Sequence, residues 1–260
     1  MTYATVNGLD MYYEDHGTGD FPVVLIHGAL SAIGTSFGEV LPALAKSRRV
    51  IAVELQAHGR TADIDRPFTV QHFAADIVAL LDYLGLDRAD IFGYSMGAAV
   101  ALELGTAHAS RVGRLVLASV SFTPDGIHPG LLDGIAELRP EHLHGSEFHD
   151  EFLRLASRPA LAFPRLVDRV KAFDAETPSW SPDQIRDLAA PTMLILGDAD
   201  IVTPEHAVTM FRLLGGGVPG DIQGLPAVRL AILPGTTHIG VAHRGDLIAP
   251  MVTEFLDQRS

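Results

Sequence analysis

The chain has no cysteine among its 260 residues. Disulfides, thiolate metal sites and a cysteine nucleophile are therefore excluded together. Lysine is almost missing too, with Lys46 and Lys171 alone, and the formal net charge is −13. So acidic a chain, with no cluster of Lys and Arg, suits neither phosphate backbones nor anionic lipid, so no nucleic acid or membrane partner is expected. No apolar run approaches the roughly 18 residues that span a bilayer. The start, Met1-Thr2-Tyr3-Ala4-Thr5-Val6-Asn7, has no basic stretch leading into an apolar one, which argues against a signal peptide. The expectation is a soluble, cytoplasmic protein. No coiled-coil pattern or other assembly signature is visible, and the oligomeric state is unknown at this level.

What the chain does have is core material. Hydrophobic residues make up 47% and charged residues 20%, which rules out a disordered chain. Asn7-Gly8, flanked by strand-like residues 2–6 and 9–15, reads as a two-residue hairpin turn. Beyond it come short, continuous apolar runs at 23–26, 50–53, 89–92, 115–118, 193–196 and 230–233. Strands covered by helices on both faces read this way. Helices are expected between them at 37–45, 70–84, 98–107, 204–214 and 246–256, the second with Val70, Phe73, Ile77, Leu80, Leu81 and Leu84 on one stripe. The alternation predicts an α/β fold with a mostly parallel sheet. Residues 122–180 break the rhythm: no strand-like run, recurrent proline, and helical fragments at 130–138, 147–156 and 164–173. The segment reads as a helical cap inserted into a core made of residues 1–121 and 181–260. Residues 215–220 are glycine-rich but lack a Lys-Ser/Thr pair, so they read as a surface connection and not as a phosphate loop.

Chemistry enters at Gly93-Tyr94-Ser95-Met96-Gly97. A strand candidate precedes this motif and a helix candidate follows it. A serine on such a sharp turn needs small residues two positions to either side, and it faces a helix N-terminus that favours negative charge. Ser95 is thus a candidate nucleophile, and a serine nucleophile needs a base. Among twelve histidines, His238 follows the last strand and a Pro-Gly turn, where a catalytic loop would sit. His27 and His58 are expected to shape loops. Asp198 and Asp200 both follow the strand at 193–196, and either carboxylate could orient His238.

Together these segments resemble the α/β-hydrolase family, in its capped, single-domain, carboxylesterase-like branch. His27-Gly28-Ala29-Leu30 resembles that family's oxyanion loop, Gly93–Gly97 its nucleophile elbow, residues 197–204 its acid loop and 234–238 its histidine loop. The resemblance covers essentially the whole chain. It implies an eight-stranded sheet with the cap after the sixth strand, and a triad of Ser95, Asp200 and His238, the family spacing selecting Asp200 over Asp198. It also implies oxyanion donors from the backbone N–H groups of Ala29 and Met96. Glu54 and Ala57 depart from the aspartate and glycine the family often has, which bears on the loop below the site. A serine at the elbow separates the chain from dehalogenase and epoxide hydrolase relatives, which carry aspartate there.

The expected activity is hydrolysis of small-to-medium apolar carboxylic esters or lactones through an acyl-enzyme, with a small-molecule partner and no cofactor. The alternatives are acyl transfer or perhydrolysis by the same triad, or a slow-turnover ligand sensor. Leu30, Phe37, Tyr94, Phe122, Trp180 and Val202 are the expected substrate contacts. His142, His144 and His149 lie close in sequence without metal-ligand spacing, so no metal site is expected.

Overall fold

Asn7 and Gly8 adopt φ 48° and 81° and turn the chain between β1 (Thr2–Val6) and β2 (Leu9–His16), which pair antiparallel with Val6 opposite Leu9. In this computed structural model, which describes residues 2–258, the other strands are β3 (Val23–Ile26), β4 (Val50–Val53), β5 (Ala89–Tyr94), β6 (Val112–Ala118), β7 (Thr192–Ala199) and β8 (Val228–Thr237). They form one eight-stranded sheet of order β1-β2-β4-β3-β5-β6-β7-β8. The β1–β2 and β2–β4 pairs are antiparallel and all others parallel. β3, β4 and β5 are buried along their whole length, the physical reason for their unbroken apolar runs.

Two apolar layers close on the sheet. On one face lies helix Val70–Tyr83, which buries Val70, Phe73, Ile77, Leu80 and Leu81 as its stripe requires; the Thr69 hydroxyl caps it by accepting the His72 N–H at 3.0 Å. Helix Met96–Ala107 is buried over most of its length on the same face. The opposite layer holds helix Gly245–Asp257, through Ile248, Val252, Phe255 and Leu256, and two short helices, Ile33–Phe37 and Leu41–Leu44. Each such large side chain contributes about 1.5–3 kcal/mol by leaving water. The helix expected at 37–45 is thus two pieces, parted at Gly38, Glu39 and Val40. β8 is longer than its apolar centre suggested. As an edge strand it admits Pro234, whose missing N–H costs an interior ladder but not an edge. After the glycines at 215–217, residues Gly220–Gln223 form one helical turn.

Between β6 and β7 the described residues contain helices and turns but no strand of the sheet. Helix Pro159–Ala175 starts earlier than expected because a proline at the first position loses no helical hydrogen bond, so Pro164 falls inside it. Its buried face carries Phe163, Leu166, Val167, Val170 and Phe173. Arg169 ties it to the core, donating to Asp63 Oδ2 (3.0 Å) and to the carbonyls of Ile64 (3.0 Å) and Arg66 (2.9 Å). Glu151, on helix Glu147–Leu155, accepts the Thr35 N–H at 2.9 Å. No helix of the described residues is long and apolar enough to cross a membrane.

Gly97 lets helix Met96–Ala107 sit directly on β3, since a Cβ there would lie 2.0 Å from the Ile26 carbonyl oxygen. Gly97→Ala is expected to destabilise the fold by about 3 kcal/mol, because backbone and not a flexible side chain blocks the methyl. Urea unfolding measures this; an unchanged midpoint would show that the helix has room to lift.

Candidate active site

Ser95 is the single residue between β5 and helix Met96–Ala107, held at φ 54°, ψ −119°. Its N–H donates to the Ala118 carbonyl at 2.9 Å, which ties the turn to the end of β6. A Cβ on Gly93 would lie 2.1 Å from the Gly97 carbonyl oxygen, so the bare glycine pair permits the reversal. The Ser95 hydroxyl stands 2.9 Å from His238 Nε2, and His238 Nδ1 stands 2.8 Å from Asp200 Oδ1. An ionised carboxylate only accepts, so the Nδ1–H donates to Asp200 and Nε2 is left to accept from the serine hydroxyl. The arrangement can pass the Ser95 proton to His238.

Asp200 is buried at the end of β7. Burial alone would raise its carboxyl, but the hydrogen bond and charge of His238, the Ser119 hydroxyl (2.6 Å) and the Gly197 N–H (3.2 Å) outweigh it and hold the group below its ordinary value. Ser119 follows β6 at φ 57° as Ser95 follows β5, and the sequence analysis missed it. A serine ending a buried apolar run was the available signal. Asp198 braces the histidine loop, accepting the N–H groups of Gly235 (2.9 Å) and Thr236 (3.0 Å), which pull its carboxyl below the usual value. Arg244 secures the same loop from the side, donating to Thr236 Oγ1 at 2.8 Å. Tyr94 donates its hydroxyl to the His238 carbonyl at 2.9 Å, and its ring stacks on the imidazole at 5.4 Å.

Opposite the serine lies the loop after β3. The Gly28 N–H donates to Ser36 Oγ and the Leu30 N–H to His58 Nε2, both at 3.2 Å. Between them the Ala29 N–H donates to no described group, and neither does that of Met96. His27 accepts the Leu55 N–H at Nε2 (3.0 Å) and donates Nδ1–H to the Gly28 carbonyl (2.7 Å). His27 and His58 are fully buried with rings 4.8 Å apart, and their ring nitrogens bond to backbone groups other than those of Ser95. Ala57 takes φ 65°, a conformation easier for glycine, so the departure noted in the sequence leaves the loop turned but strained. Glu54 is buried against Arg60, whose guanidinium lies 2.6 Å away; burial pushes the carboxyl up to about 7.

These groups open into a cavity of about 610 Å³ that is lined in large part by residues between β6 and β7. Leu30, Tyr94, Trp180 and Val202 line it, as do Ala29 and Met96. Two expected contacts do not. Phe37 is buried on the other face of the sheet, edge-on to Phe92 at 5.2 Å, because its short helix turns that side toward the second apolar layer. Phe122 is buried behind the wall, stacked on His206 at 4.3 Å while its N–H donates to His206 Nε2. Of the other aromatics between β6 and β7, Phe148 and Phe173 line the cavity, whereas Phe152 and Phe163 pack on each other at 5.2 Å. The rings of His144 and His149 lie 4.8 Å apart and tilted, and among the described residues no three His, Asp or Glu side chains converge as metal ligands would.

With fold and geometry together, the class is defined: the chain belongs to the alpha/beta hydrolase family, whose pattern it matches over residues 23–250. It is 30% identical to a 2-hydroxymuconate semialdehyde hydrolase of Pseudomonas sp. (strain CF600), over 76% of each chain. It is 25% identical to a non-heme haloperoxidase of Rhodococcus erythropolis, over 99% of this chain and 100% of that one. Among solved structures, the meta-cleavage product hydrolase CumD of Pseudomonas fluorescens IP01 superposes with a TM-score of 0.79 at 20% identity, covering 99% and 98% of the two chains.

Burial pushes His27 down to about 4 and moves His58 in the same direction. Unfolded histidine takes up its proton near 6.5. The stability contributed by keeping His27 neutral is therefore complete above pH ~6.5 and lost as pH falls toward ~4. The loss is on the order of 3 kcal/mol for His27 alone. Urea midpoints should fall between pH ~7 and ~4.5, and His27→Gln should flatten the slope; an equal slope in both proteins would place the acid sensitivity elsewhere.

Proposed function

We propose that the protein is a serine hydrolase of carboxylic esters or lactones that works through an acyl-enzyme on Ser95. The observation that carries this is the hydrogen-bond chain Asp200–His238–Ser95, unbroken and opening into a mostly apolar cavity. Ser95 Oγ attacks the substrate carbonyl while His238 Nε2 takes its proton. Asp200 stays ionised and holds the imidazolium in place. The tetrahedral oxygen receives the N–H groups of Ala29 and Met96, the second at the start of a helix whose dipole favours negative charge. His238 returns the proton to the leaving alcohol, and water repeats the sequence to release the acid. Nothing in this cycle calls for a cofactor.

Leu30, Tyr94, Trp180 and Val202 would contact the substrate, and apolar walls favour small-to-medium apolar acyl groups. Residues 122–180 act as the cap over a core of 1–121 and 181–260. A second reading, perhydrolysis, is supported by the full-length likeness to a haloperoxidase: peroxide in place of water would take the acyl group from Ser95.

Ser95→Ala should abolish turnover of p-nitrophenyl esters and covalent phosphonate labelling. Asp200→Asn should lower kcat by about 10³–10⁴-fold while leaving the protein folded. A Ser95→Ala protein that keeps full turnover and labelling would sink the proposal. Peracid as main product in hydrogen peroxide, at the expense of carboxylic acid, would favour the second reading.

A further inference from the structure

Helix Pro159–Ala175 ends over the cavity, and its residues 170, 173 and 174 share one face. Val170 and Phe173 extend the apolar wall there, but Asp174 places a carboxyl in it. Among the lining residues the only other titratable groups are Tyr94 and His238, both already engaged in the Ser95 site. The remaining polar side chains are also largely occupied: Ser119 donates to Asp200, and the Thr177 hydroxyl donates to the Asp174 backbone carbonyl at 2.7 Å. No described side chain donates a hydrogen bond to the Asp174 carboxyl or forms an ion pair with it. Burial pushes this carboxyl up to about 6, opposed only by the charge of His238. Asp174 is half-buried, so its carboxyl meets the cavity and no donor among the described residues.

A half-buried carboxylate in a mostly apolar wall keeps only part of its water, and a donor on a bound ligand can replace what binding removes. Facing the same space as Ser95, this carboxyl has a place for a donor carried in from outside. We propose that Asp174 is a specificity-determining residue of the cavity, accepting a hydrogen bond from an O–H or N–H donor on a substrate whose remaining body is apolar. The substrate class is then an aliphatic ester or lactone bearing one hydroxyl or ammonium group away from the scissile carbonyl. This rests on the serine hydrolase reading for its position in a reaction, but not for the binding itself.

The test compares methyl esters from butanoate to octanoate with their terminal hydroxyl and terminal ammonium derivatives, on wild type, Asp174→Asn and Asp174→Leu. Wild type should prefer a donor-bearing ester over its plain counterpart at one chain length. Asp174→Leu should lower kcat/KM for that ester by about 10–100-fold, as expected for a lost hydrogen bond to a charged group, and leave the plain ester unchanged or faster. Asp174→Asn separates the two donors, keeping a hydroxyl preference and losing an ammonium one. Equal losses on plain and donor-bearing esters would mean that Asp174 serves His238 and not the substrate, and no loss on either would mean it serves neither; both overturn the proposal. Trp180, the only tryptophan, lines the same cavity, so its fluorescence reports binding of the matching, non-hydrolysed hexanamide series without any turnover. If wild type cleaves no ester, the proposed function fails, and the amide titrations still decide the role of Asp174.

Discussion

Ser95 is held at a positive φ between a buried strand and a buried helix, and much of the architecture follows from supporting that one turn. An L-residue does not stay in that region of its own accord. It stays because helix Met96–Ala107 is wedged on β3 through Gly97 and because the Ser95 N–H is tied to the end of β6. The neighbouring strands end in the same manner. Leu30, Ala57 and Ser119, after β3, β4 and β6, are also non-glycine residues at positive φ, and only Asn7 shares this property elsewhere among the described residues. The strain is concentrated beyond the C-terminal ends of the central parallel strands, where the serine emerges.

Buried polar groups around those strand ends have distinct fates. His27 and His58 are kept neutral by burial, and each donates and accepts backbone hydrogen bonds that shape the loop opposite Ser95. Asp200 is kept ionised despite burial because four donors converge on it: His238, Ser119 and the N–H groups of Gly197 and Val202. A neutral scaffold on one side and a fixed negative charge on the other leave the imidazole of His238 as the group free to exchange a proton. Asp198, two residues away, differs only in its surroundings. Exposed to water, it has become a clamp for the loop that carries His238.

The segment between β6 and β7 contributes volume and polarity in place of chemistry. Its helices bury aromatic side chains in their own contacts and against Phe73, and Arg169 anchors them to the core. The cavity there is apolar except near Ser95 and at Asp174, so any apolar ligand that fills it loses water along most of its length.

Much of this was legible in sequence. Continuous apolar runs marked the inner strands, Asn7-Gly8 marked the hairpin, and the order of motifs around Ser95, Asp200 and His238 singled out three residues that the fold does bring within hydrogen-bonding distance. Such features are local: periodicity, turn chemistry and the small residues a tight turn demands. Phe37 and Phe122 were misplaced because hydrophobicity tells a residue to be buried but not against which layer, and both chose core over cavity. Ser119 and Asp174 went unnoticed for the complementary reason. A serine and an aspartate are unremarkable in a chain until folding sets one beside Asp200 and the other in an apolar wall. By itself the sequence singled out most of the elements and the three side chains that meet as Asp200–His238–Ser95, because these follow from neighbouring residues; only the tertiary structure decided what surrounds each polar group, because burial and hydrogen-bond partners come from segments as far apart as Ser119 and Asp200.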